Sequence, residues 1–218
     1  EVKRGAMMER EKRLRGLILL GGRSDYTPQE LAPLNIPYVC CSYDNQYGTL
    51  PPDSYASVSI ADEEEACRAV TELYRCGHRR IAALVSGTED RSISQLRYQG
   101  YVRALAAHDL PLDPALVIEA GSFDIRQSYL AMQRHLLTGA QFTALFAISD
   151  NMAIGAMRAL REAGRRIPED CSVIAIDGLT ISDYINPTLT TLCQPMEHMG
   201  RRSVEILLDM VEHRGGPI

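Results

Sequence analysis

The sequence predicts an α/β fold with parallel sheets, on three observations. Short aliphatic runs are continuous rather than alternating, which suits strands covered on both faces. Longer stretches of helical period separate them. Turn residues punctuate the joins, so strand, helix and strand succeed one another as in a doubly wound sheet.

The chain opens on Glu1 to Arg15, where Lys3, Arg4, Arg10, Lys12, Arg13 and Arg15 interleave with Glu1, Glu9 and Glu11. Mixed signs predict the solvated end of a helix rather than a basic arm. The first strand is predicted at 16–20, followed by the loop Gly21-Gly22-Arg23-Ser24, and the second at 37–41. Asp62 with Glu65 spells a capping box before a helix that carries Ala66, Ala69, Val70 and Leu73 inward and stops at Gly77. Further strands are expected at 81–85, 116–118, 144–148 and 172–176. The helices between them are 97–107 with Tyr101, Ala104 and Leu105 inward, and 125–137 with Tyr129, Met132 and Leu136 inward. Asp150 precedes a helix over 152–163 facing Ala153, Met157 and Leu160 to the core. A last helix, 196–213, presents Met199, Val204, Leu207 and Met210 before Gly215-Gly216-Pro217 breaks it. No internal repeat and no low-complexity linker divides the chain.

With 218 residues, 45% of them hydrophobic, the chain can form one large domain or two small ones. The formal net charge of −5 is a poor match for a phosphate backbone, so this segment is not expected to grip nucleic acid itself. No apolar run approaches the ~20 residues that span a bilayer, so no membrane partner is expected. The six cysteines form no C-x-x-C pair and read as reduced thiols, hence a cytoplasmic protein. The histidines lack metal-site spacing, and no G-x-G-x-x-G, phosphate loop or G-x-S-x-G elbow occurs. We therefore expect no metal, no cofactor and no enzymatic activity.

Sheets of this kind bind ligands beyond the carboxyl ends of their strands. Ser86-Gly87-Thr88, Ser149-Asp150-Asn151 and Asp177-Gly178 follow strands, and Arg97 opens a helix after a polar loop. Carboxylates accept from vicinal hydroxyls and a guanidinium donates a planar fork, a set suited to a small polyhydroxylated ligand. Phe123 offers an apolar ring to the C–H face of a sugar. Asp150 reads equally as a helix cap or a ligand contact. Asp177 reads as a turn anchor or a ligand group, the latter favoured by its strand-end position.

Five segments in order then resemble the lactose-repressor (LacI/GalR) family of transcription regulators. Leu73 to Ala82 resembles its L-x-x-x-G-H-R-x-I-A, and Arg97 to Leu105 its R-x-x-G-Y-x-x-A-L. Thr143 to Ala156, Ile167 to Ile174, and Pro187 to Leu192 with Gln194-Pro195 and Met199-Gly200 resemble its later motifs. The resemblance implies a type I periplasmic-binding-protein-like fold: two doubly wound parallel-sheet lobes with a ligand cleft between them. One lobe would be 1–86 plus 193–218 and the other 87–192, with crossings near Ser86-Gly87 and Leu192–Gln194 and a third beyond the last residue. It implies an effector site of Arg97, Phe123, Ser149, Asp177 and Gln194, for a sugar or sugar derivative. It implies a homodimer formed by Asn151–Ala163 and Leu179–Ile185, and operator DNA bound through a helix-turn-helix head outside this sequence. The family's hinge helix, first strand and final strands are likewise expected in a longer polypeptide, or another segment in their place. Ser149 stands where the family usually has Asn, and Ala175-Ile176-Asp177 where it has an aromatic before the Asp. The alternative reading, a periplasmic sugar-binding protein of a transport system, shares the fold but predicts a leader peptide and few cysteines.

Overall fold

A computed structural model describes residues 2–51 and 54–212. Their contacts divide the chain into two compact units. The first takes the described residues up to Ile60, Arg91–Ile93 and those from Pro195 onward; the second takes Ala61–Asp90 and Ser94–Gln194.

The first unit holds α1 (Val2–Lys12), β1 (Leu17–Leu20), α2 (Pro28–Leu31), β2 (Tyr38–Cys41), β3 (Ala56–Val58) and α7 (Met196–Glu212). Its strands are parallel in the order β1-β2-β3, with Leu17 opposite Tyr38 and Val39 opposite Ala56. β2 lies between two neighbours and is buried throughout. β1 has an equally aliphatic sequence, yet it pairs on one side only among the described residues and leaves Leu20 73% exposed. Ala6, Leu31, Leu34, Tyr38, Cys40 and Tyr43 form the core cluster. Of the interleaved charges of the opening segment, Lys3, Arg4, Glu9, Arg10, Glu11 and Lys12 lie on α1, of which only Ala6 is buried; Arg13 and Arg15 follow it, and Glu1 lies outside the described residues. Two elements of this unit carry little sequence signal. α2 is a single turn fixed by the Thr27–Glu30 capping box with Pro28 at its first position, and β3 is three residues long.

The second unit is a sheet of β4 (Ile81–Val85), β5 (Val117–Glu119), β6 (Ala144–Ala147), β7 (Ser172–Asp177) and β8 (Thr190–Cys193). All pairings are parallel, in the order β5-β4-β6-β7-β8. Around it lie α3 (Asp62–Arg75), α4 (Ile93–Ala107), α5 (Ile125–Leu136) and α6 (Asp150–Glu162). β4 and β6 are buried at every residue, as their continuous aliphatic runs require. α5 and α6 pack closely because Gly155 has no side chain; a Cβ there would run into the Ile125 carbonyl. The chain's order reverses at β4, which has β5 on one side and β6 on the other. Such a switch point opens a crevice at the strand ends.

The boundary expected at residue 86 falls elsewhere in these contacts. β4 is hydrogen-bonded between β5 and β6, so α3 and β4 pack with the second unit and the division lies between Ile60 and Ala61. The break expected at Gly215-Gly216-Pro217 lies outside the described residues.

Candidate ligand site

Arg97 lies on the inward face of α4, and the whole residue is only 2% exposed. A buried guanidinium requires partners for its donors and its charge. Nε donates to Asp62 Oδ1 at 2.7 Å. Nη1 donates to the Ile148 carbonyl at 2.5 Å, just beyond β6, and to Asp177 Oδ1 at 3.3 Å.

Asp177 ends β7. Its Oδ1 also accepts from Gln194 Nε2 at 2.8 Å, and its Oδ2 accepts from the Asp150 backbone N–H at 3.3 Å, at the N-terminus of α6. The Gln194 N–H donates to the Asp177 carbonyl at 3.0 Å, so side chain and backbone register Gln194 against the same residue. Asp177 has φ 153°, a region that L residues seldom occupy. Gly178 follows at φ 76°, and a Cβ there would meet Cys193 Cα and Sγ at 2.7 Å. The backbone at this strand end is therefore fixed by close contact with β8.

Arg97, Asp177 and Gln194 are thus joined directly. Ser149 sits beside them in the chain, but its Oγ accepts from Met152 N–H at 3.3 Å as the N-cap of α6. The sequence leaves Asp150 open between a helix cap and a ligand contact. That residue is fully buried and does something else: Oδ2 accepts from Leu179 N–H and Ser182 Oγ at 2.7 Å each, and Oδ1 accepts from Thr191 Oγ1 at 2.5 Å. Its carboxylate is filled by the loop after β7 and by β8, which leaves it a positioning role rather than a ligand contact. Thr88 is likewise engaged, its Oγ1 donating to Glu119 at 2.6 Å. Phe123 stands apart, 38% exposed in the turn before α5, with no described contact to the others.

Asp62 is the residue sequence reasoning misassigned. The cap of α3 is Ala61, with no side-chain bond, and the Asp62 carboxylate turns inward to Arg97 instead. Charge neutralisation in a buried setting outweighs the modest gain of a cap. The signal that pointed to it is the cation itself, since a guanidinium on the apolar face of a helix demands a buried acid. Burial pushes the carboxyls of both Asp62 and Asp177 above the ordinary carboxylate range, against the opposing pull of Arg97.

Among the described residues no helix is long and apolar enough to cross a membrane, and no group of side chains could hold a metal ion. The cysteines Cys40, Cys41, Cys67, Cys76, Cys171 and Cys193 are all free thiols.

Residues 70–218 match the family described as the periplasmic binding protein-like domain. The HTH-type transcriptional regulator CelR of Thermobifida fusca is 35% identical over 197 residues, covering 90% of this chain and 56% of that protein. The ribose operon repressor of Haemophilus influenzae is 31% identical over 202 residues, covering 93% of this chain and 59% of its own. A solved transcriptional regulator CelR–cellobiose complex superposes with a TM-score of 0.86 at 31% identity, over 99% of this chain and 65% of that one. The chain thus spans less than two thirds of the length of these relatives. They are transcription regulators and repressors, not enzymes.

Proposed function

The chain belongs to the lactose-repressor (LacI) family of transcription regulators, as its periplasmic-binding-protein-like effector domain, and we propose that it senses a small polyhydroxylated molecule at the strand ends of the second unit. The observation that carries this reading is the Arg97–Asp177 pair. A guanidinium and a carboxylate, each fixed by further partners, stand at the carboxyl ends of β6 and β7, beside the switch point at which such sheets take ligands. Ligand hydroxyls donate to Asp177 and accept from Arg97. Gln194 and Ser149 supply further polar contacts, and Phe123 an apolar ring. The cellobiose complex of a structural neighbour supports a carbohydrate as the effector.

In this reading the regulator is a cytoplasmic homodimer. Effector occupancy changes its affinity for operator DNA, which a helix-turn-helix segment outside this sequence binds. Support for self-association comes from the second unit. Ile181 and Tyr184 are 49% and 79% exposed, beside a groove of about 620 Å³ lined by Ile154, Met157, Arg158 and Ile185. Met157 itself is buried within its own unit, so its main role is in the core. Light scattering at micromolar concentration should give a dimer; a monomer only would remove this part of the proposal.

A thermal-shift screen against sugars and nucleobases tests the effector reading. A ligand at 100-fold its dissociation constant should stabilise by about 2.7 kcal/mol. Arg97→Ala and Asp177→Ala should abolish that shift, and a shift that survives both places the site elsewhere.

A further inference from the structure

We propose that Asp62 sets the charge class of the ligand: by occupying one edge of Arg97 it restricts the site to uncharged, hydroxyl-bearing ligands and excludes phosphorylated ones. The inference rests on the reading that Arg97 and Asp177 form the effector site.

A guanidinium grips a phosphate or carboxylate with two parallel N–H groups along one edge. It has one such edge between Nε and an Nη, and another between the two Nη atoms. In this structure Nε is committed to Asp62 and Nη1 to the Ile148 carbonyl and Asp177. No bidentate edge is left. Nη2 makes no described hydrogen bond, and its N–H groups suit a single hydroxyl or carbonyl oxygen rather than an anion's fork.

Charge points the same way. Two carboxylates, those of Asp62 and Asp177, pair with the one cation Arg97, and Asp150 follows at the next link through its backbone N–H to Asp177, so the network described already carries excess negative charge. The first amides of α6 offset part of it at Asp177. A phosphate dianion brought against this set meets Asp177 as a like charge, with no free fork to compensate. A sugar hydroxyl donates to the same carboxylate. Asp62 is therefore a specificity-determining residue that acts through Arg97 without needing to touch the ligand.

The test uses the full 218-residue chain and probes that do not depend on knowing the effector. Inorganic phosphate at millimolar concentration should leave the melting temperature of the wild type unchanged. It should raise that of Asp62→Asn, with phosphate bound at least about tenfold more tightly than by the wild type. The double variant Asp62→Asn/Arg97→Ala should lose the response, and Asp62→Glu should keep wild-type behaviour. In parallel, ribose is compared with ribose 5-phosphate and cellobiose with cellobiose 6-phosphate by calorimetry. The wild type should favour the neutral member of any pair it binds, and Asp62→Asn should shift the ratio toward the phosphorylated member. A purely structural role for Asp62 would weaken both members alike and leave the ratio unmoved, which overturns the inference. So does a wild type that prefers the phosphorylated sugar, a comparison that needs no variant to fold. Absence of binding by any sugar counts against the sugar-effector reading instead, while the phosphate response of Asp62→Asn still decides the role of Asp62.

Discussion

In the first unit, the loops that follow β1 and β2 are joined by a neutral side-chain amide beside two backbone bonds, Tyr47 N–H to the Ser24 carbonyl and Thr49 N–H to the Tyr26 carbonyl. Asn45 Oδ1 accepts from Tyr26 N–H at 2.6 Å and its Nδ2 donates to the Tyr26 carbonyl at 2.9 Å, with Tyr26 and Tyr43 tilted rings 6.4 Å apart. In the second unit, the loops after β6 and β7 hang on ions. Arg97 reaches Asp62 on α3, the carbonyl after β6 and the carboxylate ending β7, while Asp150 gathers the next loop. The neutral arrangement is tolerant because losing one partner strands only a peptide group. The ionic one is not, because losing one partner strands a buried charge. A rigid, charge-bearing strand end is what a ligand site needs, and among the described residues the second unit has a guanidinium and a carboxylate paired at one.

That contrast can be broken in four ways. Arg97→Ala should cost about 3–5 kcal/mol in urea unfolding, since it leaves Asp62 buried and unpaired; Asn45→Ala should cost about 1–3 kcal/mol. Equal losses would mean that the charge carries no special penalty. The aliphatic runs differ in the same direction. Leu84→Ala, fully buried in β4, should cost about 2–5 kcal/mol, whereas Leu20→Ala at the exposed end of β1 should stay within about 0.5 kcal/mol. The glycines after the strands sharpen the point. Gly21 has φ 66° with open space around it, so Gly21→Ala should cost about 1 kcal/mol from backbone strain alone. Gly178→Ala adds a clash with Cys193 and should cost measurably more in the same thermal melts.

The smallest effect is on pH. Asp62 holds its proton to a higher pH in the folded chain than in the unfolded one, because burial raises its carboxyl. Its contribution to stability is therefore complete below the unfolded value and is lost as pH rises through the folded one. Melting curves from pH 7 to 4 should show the wild type gaining on Asp62→Asn as pH falls. Asp170, partly exposed and held far below the usual range by hydrogen bonds from Arg166, has the opposite sign. Its contribution is complete above the unfolded value of about 4, begins to fade below it and is lost only as pH falls through the lower folded value, so the advantage of wild type over Asp170→Asn should persist at pH 4 and close only in stronger acid.

The sequence made some of this legible and hid the rest for physical reasons. Continuous aliphatic runs mark β4, β6 and β7 because strands paired on both sides and covered on both faces exclude polar residues. β8, Thr-Thr-Leu-Cys at the sheet edge, is partly exposed and carries no such mark. Arg97 and Asp177 follow from strand-end logic, whereas Gln194 came only with the family resemblance. Ser149 and Asp150 are both good cap formers, and local sequence does not choose between them; the choice is made by Leu179, Ser182 and Thr191, far along the chain. Asp62 leads a run of acids at a helix start and reads as the cap of that helix, because its partner lies a helix, a strand and a loop away.

Gln194 is the last residue of the second unit before the chain passes to α7, and Asp62 is the second residue after the chain enters that unit from β3. The side chains that hold Asp177 and Arg97 are thus welded to the polypeptide's own points of passage. A lineage that swaps one of them to suit a new ligand also rewrites a stretch where the chain leaves one unit for the other.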